Sequence, residues 1–459
     1  MRRHLVLLAL ASVAILALAA CGRETPTQIP TQTPAATSAP TSTATTPATS
    51  TPGPAQPGSP KVLKADVQRT SPADVSDADL ESVTEGSAEF AFDLYRQLKD
   101  AEKFRGENLF YSPFSISLAL AMTSAGAAGT TASQMADTLH LELPPERLHP
   151  AMNVLDQKMA GNDEFELSIA NSLWGQDGFA FKQSFLEELA RSYGAGMRLV
   201  DFVDATNRET ARQAINGWVE DETNDRIKDI VPQGALTDMT RLVLANAIYF
   251  KADWTYQFSK EATQDRPFNL ADGSAVDVST MYRSNMQLQY ADLEGYQVVE
   301  LPYKGTEVSM LVLLPDEGEL EALEDSINSR TLSDTIERLE SRTVSVTMPK
   351  FEFTSDVALK EHLQALGMEA PFDFVQANFS GIADPATAQL YIQDALHKAF
   401  VKVDEEGTEA AAATVVIVGT TSMPTDVVDL VVDRPFLFLI RDGETGATLF
   451  VGRVMDPRP

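Results

Sequence analysis

From Arg23 to about Lys61 the chain holds almost no large apolar side chain, being built mainly from Thr, Pro, Ser and Ala. Such a segment cannot bury enough surface to offset the entropy of ordering it, so it reads as a disordered tether. Its prolines keep it extended, at about 3 Å per residue, which gives a reach on the order of 150 Å. Residues 62–85 are acidic and mixed and read as its continuation, so the tether is assigned to 21–85. Folded structure is then expected over 86–459. That stretch of about 370 residues is long enough for two domains or for one large one.

Ahead of the tether, Arg2 and Arg3 precede an apolar run from Leu5 to Leu18. This is the layout of a secretory signal, with a charged start and a hydrophobic segment too short for an ordinary membrane span. The run ends in Leu18-Ala19-Ala20-Cys21-Gly22, which resembles the lipobox of bacterial lipoproteins. The resemblance implies a signal peptide over 1–20 and a lipid on Cys21. It also implies an exported protein anchored outside the cytoplasm, on a bacterial membrane or cell surface. Cys21 is the one cysteine of the chain, so stability is expected to come from a core rather than from disulfides.

The chain carries 36 Lys and Arg against 66 Asp and Glu, a net charge of −30. That balance argues against nucleic acid and against polyanionic cofactors. The five histidines form no His-Glu-x-x-His pattern, and no Cys cluster or Gly-rich phosphate loop is present. Phe379-Ser380-Gly381 lacks the first Gly of a Gly-x-Ser-x-Gly elbow. No metal, no cofactor and no catalytic residue is expected.

Helices come early and strands later, the order of an α+β fold. Phe90, Ala91, Leu94, Tyr95 and Leu98 share one helical face. Ser112 caps a second helix with Pro113 in its first turn, and the small apolar residues that follow predict burial. Leu242–Phe250 is an apolar run with Asn246 at its centre, the pattern of a central strand with a polar group to satisfy. Val299–Tyr303 with Val308–Leu314, and Leu437–Ile440 with Thr448–Val451, predict two hairpins.

The stretch Glu405–Val418, EEGTEAAAATVVIV, is in conflict with itself. Its alanines favour helix, and its β-branched end favours strand. Conflicts of this kind mark functional or strained sites.

Taken in order, these residues carry a resemblance to the serpins from about Gly86 to Pro459. Asn108, Ser112-Pro113 and Ser115-Ile116 match the family's opening motif. Asn171-Ser-Leu-Trp174, Ile215-Asn216-Gly-Trp218-Val219 and Ala245-Asn246-Ala-Ile-Tyr-Phe250-Lys-Ala-Asp-Trp254 follow. So do Leu301-Pro302-Tyr303, Leu314-Pro315, Met348-Pro349-Lys350-Phe351, Phe379-Ser380-Gly381, His397-Lys398-Ala399, Arg434-Pro435-Phe436 and Gly452-Arg453-Val454. Asp225 departs from the pattern, since the family often has Gly in that motif, and the segment after the reactive bond looks longer than in some relatives.

The resemblance implies the serpin fold, with helices packed around three β-sheets and an exposed reactive-centre loop. It makes Glu405, Glu406, Gly407, Thr408, Glu409, Ala410, Ala411, Ala412 and Ala413 the loop's hinge. In a strand, Thr408, Ala410 and Ala412 would share one face, and Glu409 would fall on the other, more exposed one. Gly407 would be a flexible pivot. Family spacing places the reactive bond at Thr421-Ser422, with Ser422-Met423 as the alternative. Ser112, Ser115, Asn246 and His397 would form a polar shutter under the opening strands. Trp254, Lys350 and Glu405 would form the breach where insertion starts, with Glu405–Lys350 a modest surface bridge. Phe250, Trp254 and Phe258 read as core rather than contact residues.

The implied function is suicide-substrate inhibition of a serine endopeptidase. An uncharged, β-branched Thr421 suits elastase-like or subtilisin-like enzymes, with a papain-like cysteine protease as a minor possibility. Asp426, Asp429 and Asp433 would make the far side of the loop acidic. The alternatives are a non-inhibitory serpin-fold chaperone or binding lipoprotein, and a tethered solute binder. The implied working form is a monomer that meets the membrane through its lipid alone.

Overall fold

The structure is a computed structural model that describes residues 60–71, 75–160, 165–408 and 426–458. In chain order it runs β1 (Lys61–Leu63), α1 (Asp77–Lys99), β2 (Leu109–Tyr111), α2 (Pro113–Ser124), α3 (Gly129–Thr138), α4 (Pro145–Ala160), β3 (Glu166–Gln176), α5 (Gln183–Tyr193), β4 (Met197–Val200) and α6 (Ala205–Glu222). Then come β5 (Leu242–Asp253), β6 (Gln264–Asn269), β7 (Ala275–Leu293), β8 (Tyr296–Pro302), β9 (Val308–Pro315), α7 (Leu320–Ser326), α8 (Ser329–Glu337), β10 (Glu340–Pro349) and β11 (Phe351–Ala358). The chain ends with α9 (Leu359–Ala365), β12 (Asp394–Val403), β13 (Gly407–Thr408), β14 (Val427–Val431), β15 (Phe436–Asp442) and β16 (Thr448–Val454).

Where the resemblance implies three sheets, the described strands form two, because the 19-residue β7 pairs with β6 and β10 and, at its far end, with β8. The first has the order β1-β4-β3-β5-β13-β12-β11, and β5 also pairs directly with β12. The second runs β14-β10-β7-β8-β9-β15-β16-β2, with β6 on β7. Both predicted hairpins form, as β8–β9 and β15–β16. Helix α2 starts as its residues dictate, with the Ser112 hydroxyl accepting from the Ser115 amide at 3.0 Å and Pro113 in its first turn. It is buried from Pro113 to Thr123 and lies in the main apolar core with both sheets and α1. A second apolar cluster covers the other face of the first sheet, where α6 packs over β3 and β5.

The boundary of the folded body lies earlier than composition suggests. Residues 62–85, assigned to the tether, are folded where they are described. Lys61–Leu63 add an antiparallel strand to the edge strand β4. Arg69 donates to Asn153 at 2.7 Å and pairs with Asp156, and the Thr70 amide donates to the Arg191 carbonyl at 2.9 Å. Helix α1 begins at Asp77, capped by Ser76, with Asp77 and Asp79 in its first turn and Arg96 and Lys99 in its last. Acidic residues suited to a helix N-terminus are what made this segment look like a solvated tail. The residues assigned to the signal peptide, Cys21 and the tether as far as Ser59 lie outside the described residues.

Asp225, where the family often has Gly, has φ +62° and follows Asn224 at φ +50°. Two successive left-handed residues cost about 1–2 kcal/mol each, which explains the family's preference for a residue without Cβ.

A buried ion pair ties β16 to α7. Arg453 on β16 donates to Glu324 on α7 at 2.8 Å and to the Glu107 carbonyl at 3.1 Å, and the Tyr95 hydroxyl donates to Glu324 at 2.6 Å. Both charged side chains are under a tenth exposed. Removing the cation leaves a buried carboxylate without its partner. Arg453→Met is therefore expected to lower stability by about 3–5 kcal/mol, read as a drop in the urea unfolding midpoint.

Candidate functional site

The centre of the first sheet is a seam. β5 and β12 pair in parallel from Asp394↔Val243 to Phe400↔Tyr249, with His397 directly opposite Asn246. Four residues picked from the sequence meet here. The Ser112 amide donates to His397 Nε2 at 3.1 Å, so that nitrogen carries no proton. His397 Nδ1–H then donates to Asn246 Oδ1. Asn246 Nδ2 donates to the Ser115 hydroxyl at 2.7 Å and to the Ser115 carbonyl at 2.9 Å. All four are buried. Asn171 completes the cluster, since its Oδ1 accepts from Asn246 and its Nδ2 donates to the Ser115 carbonyl at 3.2 Å. The sequence offered Asn171 only as part of a motif; the signal was the antiparallel pairing of its strand with β5, which sets it opposite Asn246.

Burial holds the His397 imidazole neutral, with a pKa pushed down to about 3 from 6.5. The amide proton aimed at Nε2 acts in the same direction.

At its upper end the seam is already parted. Gly407–Thr408 lies between the two strands, with Thr408 opposite Ala252 of β5 and Val403 of β12, antiparallel to both. The Thr408 side chain is buried, and its hydroxyl is 2.6 Å from that of Tyr303. Gly407 fits for a reason other than pivoting: a Cβ there would stand 2.0 Å from the Ala252 carbonyl oxygen. Only a residue without a side chain allows this approach.

Trp254, Lys350 and Glu405 surround this point. Trp254 stacks on Tyr303 at 4.5 Å with an interplanar angle of 9°, and its indole N–H donates to the Asp404 carbonyl at 3.0 Å. Glu405 pairs with Lys350 at 2.8 Å and accepts from the Thr263 hydroxyl at 2.7 Å. The pair differs from the expected surface bridge, because the Glu405 side chain is only 5% exposed. Burial pushes its carboxyl up, but Lys350 and Thr263 together outweigh that and hold it below the ordinary glutamate range. Glu406 pairs outward with Lys260 at 2.6 Å, and its carbonyl accepts from the Trp254 amide at 2.9 Å. Tyr303, Thr263 and Lys260 were not singled out from the sequence, because nothing in their local patterns reports a partner 100 or more positions away. Phe250, Trp254 and Phe258 are buried in the main core.

The remaining sequence expectations fall outside the described residues: Glu409, Ala410, Ala411, Ala412 and Ala413 of the hinge, and Thr421 and Ser422 of the reactive bond. Beyond them, Asp426 pairs with Arg342 at 3.4 Å and Asp433 with Arg434 at 2.9 Å. The expected acidic rim is thus partly neutralised.

The protonation of His397 makes a prediction. Its folded pKa lies below its unfolded value, so between pH 6.5 and about 3 the unfolded chain takes up a proton that the folded chain excludes. Stability is therefore full above pH 6.5 and falls as the pH drops, by up to about 1.4 kcal/mol per unit for this group. Unfolding midpoints measured from pH 7 to 5 are expected to show that slope, and His397→Gln to flatten it.

A second prediction concerns Gly407. Gly407→Ala is expected to push β13 out from between β5 and β12. Hydrogen exchange of the Thr408 amide should then quicken by an order of magnitude or more, while the β15–β16 hairpin stays protected.

A family model described as "Serpin (serine protease inhibitor)" matches residues 85–457. Antithrombin-III of Mus musculus is 35% identical over 382 residues, 82% of each chain. A leukocyte elastase inhibitor of Xenopus tropicalis is 36% identical, over 82% of this chain and all of its own length. Among solved structures, the native state of the thermophilic serpin tengpin aligns with a TM-score of 0.76 and 28% identity, over 86% of this chain and 97% of its own. With the family model matching residues 85–457 and a solved serpin sharing the fold, the chain belongs to the serpin family.

Proposed function

We propose that this chain inhibits a serine endopeptidase as a suicide substrate, by inserting its cleaved loop between β5 and β12. One observation carries the reading: Gly407–Thr408 already lies antiparallel between those strands. Continued in the same register, Glu409 would fall between Lys251 and Lys402, and Thr414 between Asn246 and His397. The hinge's one charge beyond Thr408 would then meet a cation on each side. The small Ala410 and Ala412 would follow Thr408 onto the core face.

The chemistry belongs to the target. Its serine hydroxyl attacks the Thr421 carbonyl, an ester to Thr421 forms, the Thr421–Ser422 peptide bond breaks, and Ser422 leaves as a free amine. Freed at that end, the loop enters the seam and replaces one parallel ladder by two antiparallel ones. Each new backbone hydrogen bond nets about 1 kcal/mol, so a strand of this length gains on the order of 10 kcal/mol. That is enough to carry the attached protease along the sheet and distort its active site before the ester is hydrolysed.

A small uncharged Thr421 would suit an elastase-like or subtilisin-like pocket, and the Xenopus tropicalis relative is named for leukocyte elastase. The lipobox-like Cys21 supports export and a lipid anchor, which would hold this activity outside the cytoplasm. Incubation with an elastase and a subtilisin is expected to give a complex stable on denaturing gels, with a released peptide beginning at Ser422. Thr408→Arg would force a guanidinium into the buried site beside Tyr303. This variant is expected to be cut at the same bond without forming the complex. Full inhibition by Thr408→Arg would sink the insertion mechanism, and cleavage of the unaltered protein without complex would favour the binding or chaperone reading.

A further inference from the structure

Helix α6 does not lie on the sheet alone. Residues 223–231, which follow it, fold back along it: the Val231 amide donates to Asn216 Oδ1 at 2.8 Å, and Asn216 Nδ2 and Arg212 donate to the Val231 carbonyl at 3.1 and 3.2 Å. Helix and return segment therefore move as one strap. Its apolar underside joins residues on both sides of the seam in one cluster, Ala245 and Tyr249 of β5 and Phe400 of β12.

The two ends of this strap are fastened differently. Toward β3 and β4, the Arg198 guanidinium of β4 sits 4.7 Å from the Trp218 ring of α6 and 5.5 Å from the Trp174 ring of β3. The two indoles meet edge to face at 6.1 Å. On the same side Asn224 donates to Glu166 of β3. Toward β12, Lys398 Nζ donates to the Lys228 carbonyl at 2.8 Å in an exposed setting and also feels the nearby Asp229 carboxylate of the return segment. A cation set against two indoles is held more firmly than a half-buried lysine on an exposed carbonyl.

We infer that Arg198 is a positioning residue that keeps α6 and its return segment on the β3–β4–β5 side when the seam opens, so that the Lys398 side lets go. The inference rests on the insertion reading above. A strap that rode with β12 would have to pull Trp218 away from Arg198 and Trp174.

Distances between spin labels test this in the full chain carrying Cys21→Ser, where each new thiol is unique. Label sites are Gln213 on α6, Asp177 just after β3 and Thr354 on β11, all exposed. Each pair is measured before and after one cut by subtilisin within 409–425. Insertion of a strand is expected to lengthen the Asp177–Thr354 distance by about 4.8 Å. The Gln213–Thr354 distance should lengthen with it, and the Gln213–Asp177 distance should stay fixed. In Arg198→Met the Gln213–Asp177 distance should shift or broaden on opening, and Arg198→Lys should hold it. A fixed Gln213–Thr354 distance with a lengthened Gln213–Asp177 distance would overturn the inference, as would wild-type behaviour of Arg198→Met. An unchanged Asp177–Thr354 distance in the cut protein would instead refute insertion itself, and the inference with it.

Discussion

The bond from His397 to Asn246 crosses the one boundary on which the rest of the structure depends. It joins the facing residues of β5 and β12, two parallel strands at the centre of a seven-stranded sheet. Parallel ladders are slightly weaker per residue than antiparallel ones, so the seam is the natural place for the sheet to part. What holds it shut below is polar and local: Ser112 and Ser115 at the buried start of α2, with Asn171 from β3. Their side chains are short, and each bond is an ordinary one. A network of this kind is cooperative when complete and yields when one member finds another partner.

The upper end of the seam is held by larger groups. Trp254 stacked on Tyr303 makes a rigid floor for Thr408, and the buried Glu405 is fixed by Lys350 and Thr263. These contacts fix where Gly407–Thr408 sits between β5 and β12 and in what register. Glycine at 407 is required there by the approach of the Ala252 carbonyl, while the residue after it can carry a hydroxyl because Tyr303 meets it. The self-conflict of EEGTEAAAATVVIV has the same origin. Its first residues must thread a gap between two strands, and its later ones have the composition of a strand.

The elements that build the core were legible because periodicity reports them directly. Leu242–Phe250, the α2 cap at Ser112 and both hairpins could be read from local pattern. The polar cluster was legible only through the family's motifs, since nothing near His397 in sequence points to Asn246 or Ser112. Asn171 and Tyr303 were missed for that reason: their partners come from other strands, and only sheet register brings them together. The segment from Lys61 to Glu85 was misread because composition measures only mean polarity. Leu80 and Val83 sit on the same helix face as Phe90 and Leu94, yet the acids around them mask the pattern. A three-residue strand such as β1 has no period to detect; its place is set by the open edge of β4.

The same contrast in bonding separates the centre of the seam from the second sheet. The second sheet is pinned by long-range, buried charge: Arg453 joins Glu324 and the Glu107 carbonyl, and Tyr95 closes the group. Breaking that pair would strand a charge in the core, at a cost of several kcal/mol. The seam of the first sheet carries no such charge at its centre, because His397 is held neutral. Opening it exchanges neutral hydrogen bonds for others of the same kind, and each exchange is close to balanced. Cys21 is the one cysteine of the chain, so no disulfide ties one half of the sheet to the other. Neutral polar groups at the centre of the seam, with ionic ones at its upper end and in the second sheet, make that centre the place where a change of partners costs least.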